Sequence, residues 1–241
     1  MPRFFCPLPL ALGAHINLPS DSTHHIFVLR LQVGDTIELF NGEGGSYIAS
    51  LTEISKKSAS AEVKVFLPEE YELPFNLTLA QGLPEGSKMD WIIEKAVELG
   101  VSGIQPLGAQ RSVVRLNPER AEKKLSHWRG IVVSATEQCG RRRLAHVAEL
   151  IEAKKWLSQH DMHKRVLLSP RSTTSLADWA RHQAAQAICL MVGPEGGFSD
   201  DEEQLAIQHG AIALSMGPRV LRTETAGLAA ISVLSAAWGG M

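Results

Sequence analysis

Two short segments near the end of the 241-residue chain hold side chains in patterns that chemistry uses. The first, Gly193-Pro194-Glu195-Gly196-Gly197, directly follows the apolar run Ile188–Val192. Its glycines permit a backbone turn that no side chain could follow and let a ligand approach the main chain closely. The pattern is neither the dinucleotide-binding fingerprint nor the P-loop. Glu195, with Asp200 and Asp201 close behind it, would repel a phosphate, so the loop suits a ligand with hydroxyls or positive charge. A purely structural glycine turn accounts for this segment equally well. The second segment runs from Gly217 to Ala226 and leads into Gly227–Trp238, a stretch apolar on nearly every side. Charged groups at the entrance to a buried helix are costly unless paired or used. Arg219, Arg222 and Glu224 therefore form either a structural ion pair or working groups of a site.

The surrounding elements explain how these segments are held. From Phe75 onward, strand and helix patterns alternate. Asn76–Ala80, Ile104–Leu107, Val166–Ser169, Ile188–Val192 and Ala211–Met216 read as short buried strands. Met89–Leu99 has helical spacing and stops at Gly100. Asn117-Pro118 opens a helix whose one face carries Leu125, Trp128, Val132 and Ala135, and Ser199 with Glu202 makes a capping box. Such alternation predicts an α/β domain with a mostly parallel sheet over residues 75–241, whose ligand lies beyond the carboxyl ends of the strands. Residues 1–70 read instead as closely spaced strands and turns around Val33-Gly34-Asp35, Asn41-Gly42 and Lys56-Lys57-Ser58, which predicts a small β-barrel. Between the two, Pro68–Pro74 with Glu69, Glu70 and Glu72 reads as a linker.

The net charge of −2 hides an asymmetry. Residues 1–70 carry five Lys and Arg against eight Asp and Glu, while residues 85–143 carry eleven against seven, ending in the run Arg141-Arg142-Arg143. That stretch is either a phosphate-binding stripe or a solvated helix face. Cys6, Cys139 and Cys189 lie far apart, and the histidines, including His24-His25 and the pair His160/His163, show no ligand spacing, so neither a disulfide framework nor a metal site is expected. No apolar run approaches a membrane span, and Met1–Leu12 lacks the pattern of a signal peptide, which makes the cytoplasm the expected location.

The segments Gly193–Ser199 and Leu214–Ala226, in this order and close to the C-terminus, resemble the bacterial 16S ribosomal RNA uridine-N3 methyltransferases of the SPOUT class. The likeness extends to Met1–Phe5, to His24 through Arg30 with Val33–Asp35, to Lys88–Trp91, Glu94-Lys95 and Glu98–Gly100, and to Arg111–Val113 and Glu137–Arg141. One departure is Ala145, where the family usually has proline. The resemblance implies a trefoil-knot methyltransferase domain behind a PUA-like β-barrel, an obligate homodimer, and S-adenosylmethionine as cofactor. On these positions the cofactor site comprises Leu168, Val192, Gly193, Pro194, Glu195, Gly196, Gly197, Leu214, Met216, Gly217, Val220, Leu221, Thr225 and Ala226. Arg222, Glu224 and Arg219 are then the catalytic candidates, and Arg3, Arg30, Arg141, Arg142 and Arg143 the RNA contacts. The expected substrate is 16S ribosomal RNA or the small subunit. The competing readings are a SPOUT enzyme acting on another RNA, such as tRNA 2′-O-methylation or methylation of 23S RNA, and a non-catalytic RNA-binding protein.

Overall fold

The computed structural model describes residues 1–159 and 163–241, so His160 of the histidine pair lies outside the described residues. Residues 1–72 and 136–144 form one compact unit, and residues 73–135 and 145–241 the other. The helix Pro118–Cys139 carries the chain from the second unit into the first, so the stretch 136–144 departs from the expected split of one domain before residue 70 and one after residue 75.

The first unit is built on β1 (Arg3–Phe5), β2 (His15–Asn17), β3 (Thr36–Phe40), β4 (Ser46–Ile54) and β5 (Ala59–Leu67) in the order β1-β3-β4-β5-β2. The first pairing, β1 on β3, is parallel and the rest are antiparallel. Register shifts at Ile48/Ala49 and Leu51/Glu53 mark the irregularities that bend a long strand. The strands and turns expected here are present, but the reading missed α1 (Ser20–Val28). Thr23 and Ile26 fall on its buried side, and Ile26 joins Phe4, Ile37, Leu39, Leu51 and Ala61 in the core. The segment is too short and too rich in Ser, Thr and His to show a helical period in sequence.

The expected linker and the expected RNA-binding run meet inside this unit. Arg141 pairs with Glu72, with Nε donating to both carboxylate oxygens at 3.1 Å. Arg142 pairs with Glu69 at 3.1 Å and faces Glu38 at 3.6 Å, and Arg143 pairs with Glu70 at 3.1 Å. Arg141 and Arg142 are only 3% and 4% exposed. Burying a guanidinium is tolerated because the partner carboxylates and backbone carbonyls answer it; Arg142 also donates to Leu67 O at 3.2 Å. Arg3 is committed in the same way, pairing with Glu38 at 3.3 Å and donating to the carbonyls of Thr136, Glu137 and Arg141. The assignment of Arg3, Arg141 and Arg142 as phosphate contacts is therefore corrected: their charge is spent inside the unit. Arg30, at φ +56°, and Arg143 keep exposed side chains.

The second unit contains β6 (Leu77–Gly82), α2 (Lys88–Glu98), β7 (Gly103–Gly108), α3 (Pro118–Cys139), β8 (His146–Val147), β9 (Ile151–Glu152) and α4 (Ala153–Leu157). It continues with β10 (Lys164–Leu168), α5 (Leu176–Arg181), β11 (Ile188–Val192), α6 (Asp200–Gln208), β12 (Ile212–Leu214) and α7 (Thr223–Trp238). The sheet order is β12-β10-β11-β6-β7-β8, with β9 also on β7, and every pairing is parallel. All five residues of β11 are buried, as a strand covered on both faces requires. Asn117 Oδ1 accepts from Arg120 N at 2.9 Å, and Ser199 and Glu202 complete the capping box, so both predicted helix starts are in place.

The last helix differs from expectation, because α7 begins at Thr223 rather than Gly227. Thr223, Glu224, Thr225 and Ala226 thus form its first turn. Its inner side, with Gly227, Ala230, Ile231, Leu234 and Trp238, is buried in its own chain. Gly227 lets the helix lie close to Leu79 and Val192, and Trp238 Nε1 donates to Ala180 O at 3.0 Å and Gln183 O at 3.1 Å. Ala236 and Ala237, on the other side, remain exposed.

Candidate functional site

The carboxyl ends of β10, β11 and β12 open onto a cavity of about 490 Å³, a size suited to a small organic ligand. Its walls come from three loops. Leu168, Ser169 and Pro170 follow β10; Val192 and Gly193–Gly197 follow β11; Met216, Gly217 and Arg219–Glu224 follow β12 and enter α7.

The β11 loop has its shape fixed from within. Gly197, at φ +68°, donates from its N to Pro194 O at 2.8 Å, closing a turn. A Cβ on Gly193 would lie 2.6 Å from Phe198 N and 2.7 Å from Gly197 C, so only glycine allows the loop to fold over itself. Arg111 Nη1 donates to Gly196 O and Phe198 O, both at 3.1 Å, and braces the loop from below. Glu202, only 2% exposed, accepts from Ser199 N and Gln110 N at 2.8 Å, fixing where α6 begins.

Glu195 does not stand free, as the sequence suggested. Its carboxylate pairs with Lys88 Nζ and accepts from Glu85 N at 3.1 Å, latching the loop to the start of α2. Burial alone would raise the Glu195 pKa, but the Lys88 bond and the backbone N–H donors outweigh it and hold the group below the ordinary carboxylate range. Lys88 is shifted upward, chiefly by Glu195. A lowered acid contributes stability that is lost only as pH falls through its depressed value, and a raised base loses its contribution only as pH rises through its elevated value. The latch therefore stays closed across the neutral range.

The β12 loop is arranged otherwise. Arg219 and Arg222 are exposed and form no ion pair among the described residues. Glu224 is half-buried, and its Oε2 is buried without a hydrogen-bond partner. Among the described residues no ion pair, the alternative explanation for these three residues, joins Arg219, Arg222 and Glu224 to one another. Instead, two free guanidiniums and one unanswered carboxylate oxygen border the cavity.

Of the residues expected to hold a ligand, Leu168, Val192, Gly193, Pro194, Glu195, Gly196, Gly197, Met216, Gly217, Val220, Leu221 and Ala226 line the cavity together. Leu214 does not, being 1% exposed within β12, and Thr225 points to solvent from the first turn of α7. Ser169 and Pro170 in the lining, and Gln81 behind it, carry no role in the sequence analysis, and Lys88 enters there only within a stretch of resemblance. Gln81 had a usable signal, as the one amide in the apolar run Leu77–Leu83. Lys88 had none, because its partner Glu195 is 107 residues away.

Comparison with known proteins places the chain among relatives. The sequence profile of the RNA methyltransferase domain matches residues 71–235, and that of the RNA methyltransferase PUA domain matches residues 18–64. The chain is 30% identical to the Ribosomal RNA small subunit methyltransferase E of Bacillus subtilis, over 98% of this chain and 96% of that one. The crystal structure of the protein of that name from Neisseria gonorrhoeae, bound to S-adenosyl methionine, is 38% identical and superposes with a TM-score of 0.92 over 99% of this chain and 98% of that one. A methyltransferase of Legionella pneumophila in complex with the same cofactor is 34% identical, with a TM-score of 0.90 over 98% and 97%.

Proposed function

Because the chain belongs to the RNA methyltransferase family, with a SPOUT-type trefoil-knot domain joined to a PUA-like domain, we propose that it methylates small-subunit ribosomal RNA using S-adenosylmethionine, and that the acceptor is N3 of a uridine. The observation that carries this reading is the cavity closed by the β11 and β12 loops, with Arg222 and Glu224 at its border.

The residues present suit that cofactor. Leu168, Val192, Met216 and Leu221 offer apolar walls to a flat base, and the turn closed at Gly193 and Gly197 leaves main chain open to polar groups. Lys88 bonds Glu195 and also lies within the field of Glu224, whose Oε2 has no hydrogen-bond partner among the described residues, which leaves a place for a positive or donating group of the ligand. When bound, S-adenosylmethionine supplies a methyl group activated by its positive sulfur. The chain's own residues act on the acceptor. Uracil N3 carries a proton that must leave before the nitrogen lone pair can attack carbon, and Glu224 is the base assigned to take it. Arg222, aided by Arg219, faces the negative charge that spreads onto the flanking carbonyl oxygens. A paired uridine hides N3, so the substrate must present an unpaired or flipped one.

Arg30 and Arg143 are the side chains of the first unit assigned to backbone phosphate. The outer side of α7, with Leu228, Ala229, Val233 and Ala236, is assigned to a second copy of the chain. Light scattering at micromolar concentration is then expected to give twice the 26.3 kDa chain mass; an active monomer would remove the second copy from the proposal. Location is bounded only in that no helix among the described residues is long and apolar enough to cross a membrane.

The test of function is direct. Small-subunit RNA from cells lacking this protein should gain one methyl group on incubation with protein and cofactor, and mass mapping should find it on the base of a uridine. A methyl on a ribose, or one placed on transfer or large-subunit RNA alone, would replace this reading with another activity. Arg30→Ala belongs in the same assay: its RNA affinity should fall less steeply with salt than that of the wild type.

A further inference from the structure

We infer that Gln81 and Thr223 are positioning residues which clamp the β12 loop to the β11 loop, setting Arg222 and Glu224 against the methyl donor. The inference rests on the function proposed above only for its kinetic consequence; the clamp itself is a matter of geometry.

Gln81 is the next-to-last residue of β6 and is fully buried. Its Nε2 donates to Gly82 O at 2.9 Å and to Thr223 Oγ1 at 2.9 Å, and lies 3.4 Å from Gly193 O. The amide can take only this orientation, because Gly82 O and Gly193 O are carbonyls that accept and never donate. Thr223 Oγ1, receiving from Gln81, spends its single proton on Gly193 O at 2.6 Å. Every proton in the chain Gln81 to Thr223 to Gly193 thus has one direction. Gly193 is the first residue of the β11 loop, and Thr223 lies between Arg222 and Glu224. A side chain 142 positions away from Thr223 fixes both loops at one point.

The two loops differ in what else holds them. The β11 loop has its internal turn, the Arg111 brace and the Glu195–Lys88 latch. For the β12 loop the corresponding bonds are few: Arg219 and Arg222 are exposed, Val220 is 83% exposed, and no side-chain bond caps the start of α7. Removing the Thr223 hydroxyl should therefore loosen the β12 loop, with Arg222, Glu224 and the apolar walls Met216 and Leu221, and leave the β11 loop in place. The buried Gln81 Oε1 has no partner, so the amide sits there for its N–H groups rather than for full satisfaction.

Thr223→Val keeps the shape and deletes the hydroxyl, whereas Thr223→Ser keeps the hydroxyl. In the full-length, cofactor-free protein, trypsin should cut after Arg219 and Arg222 about tenfold faster in Thr223→Val than in wild type, with Thr223→Ser within about twofold. With cofactor and small-subunit RNA, Thr223→Val should lose about thirtyfold or more in kcat, with a smaller loss of cofactor affinity, about tenfold or less, through the β12-loop walls Met216 and Leu221, and Thr223→Ser should recover most of both. Equal cleavage of the valine variant and wild type overturns the clamp, as does a serine variant no better than valine. If the wild type fails to methylate the RNA, the function proposal falls, and the trypsin comparison still decides the clamp. Should Thr223→Val not fold, Gln81→Met removes the amide donors that hold Thr223 and Gly193, leaves the Thr223 hydroxyl, and is read in the same two assays.

Discussion

Arg222→Ala is expected to slow methyl transfer by about a hundredfold or more while leaving both cofactor and RNA bound, the size seen when one preorganised donor to a developing anion is removed. The structure favours so selective a loss because Arg222 is exposed and carries no ion pair among the described residues, so its removal strands no paired charge there. Single-turnover rates and melting temperatures, measured together, are the deciding pair: a rate near wild type, or a large drop in melting temperature, would take Arg222 out of catalysis. Glu224→Gln probes the other half of the proposal. It keeps shape and removes basicity, so turnover should fall at neutral pH and partly recover at higher pH, where uracil N3 loses its proton more readily without help. A pH-independent rate in that variant would return the proton to solvent.

The second large effect belongs to Gly193. Gly193→Ala should weaken S-adenosylmethionine binding by about a hundredfold, because a methyl group there collides with the backbone of Gly197 and Phe198 and the loop must open to admit it. Calorimetry is the measurement, run with EDTA present; among the described residues no group of three His, Cys, Asp or Glu stands ready for a metal. An unchanged dissociation constant would mean that the loop tolerates reshaping and that the cavity is held by other contacts. Gly197 is a milder position, since a Cβ there meets no atom within 4 Å and the strain comes only from its φ of +68°.

These expectations show what could and could not be read from residues alone. The parallel sheet, the strand Ile188–Val192 and the capped starts of α3 and α6 are written in local patterns, apolar runs and cap residues, which act within a few positions. Glycines and strand ends also marked the two loops, Gly193–Gly197 and Gly217–Ala226, whereas the individual lining residues followed only from the family resemblance. Long-range pairing was not. Glu69, Glu70 and Glu72 read as solvated linker residues and Arg141–Arg143 as a phosphate grip, because neither run discloses that the other is its partner some seventy residues away. Charge excess in a window counts Arg141 and Arg142 as available although the fold has buried and paired them. The start of α7 was placed four residues late for a related reason: polar Thr223, Glu224 and Thr225 break the apolar pattern that signalled the helix.

That pairing also has a consequence in time. The first unit needs residues 136–144, and its Arg3 donates to the carbonyls of Thr136, Glu137 and Arg141. A ribosome that has just released residue 72 therefore holds an incomplete unit, with Glu69 and Glu72 still lacking the arginines at 142 and 141, and Glu38 left with Arg3 as its only cation. At roughly 5–20 residues per second, the missing piece arrives roughly 4–14 seconds later. During that interval the N-terminal segment waits with its acidic groups hydrated, and its folding is completed only after much of the methyltransferase domain has been synthesised. Vectorial synthesis thus gives way, in this chain, to a closing step in which the beginning is finished from the middle.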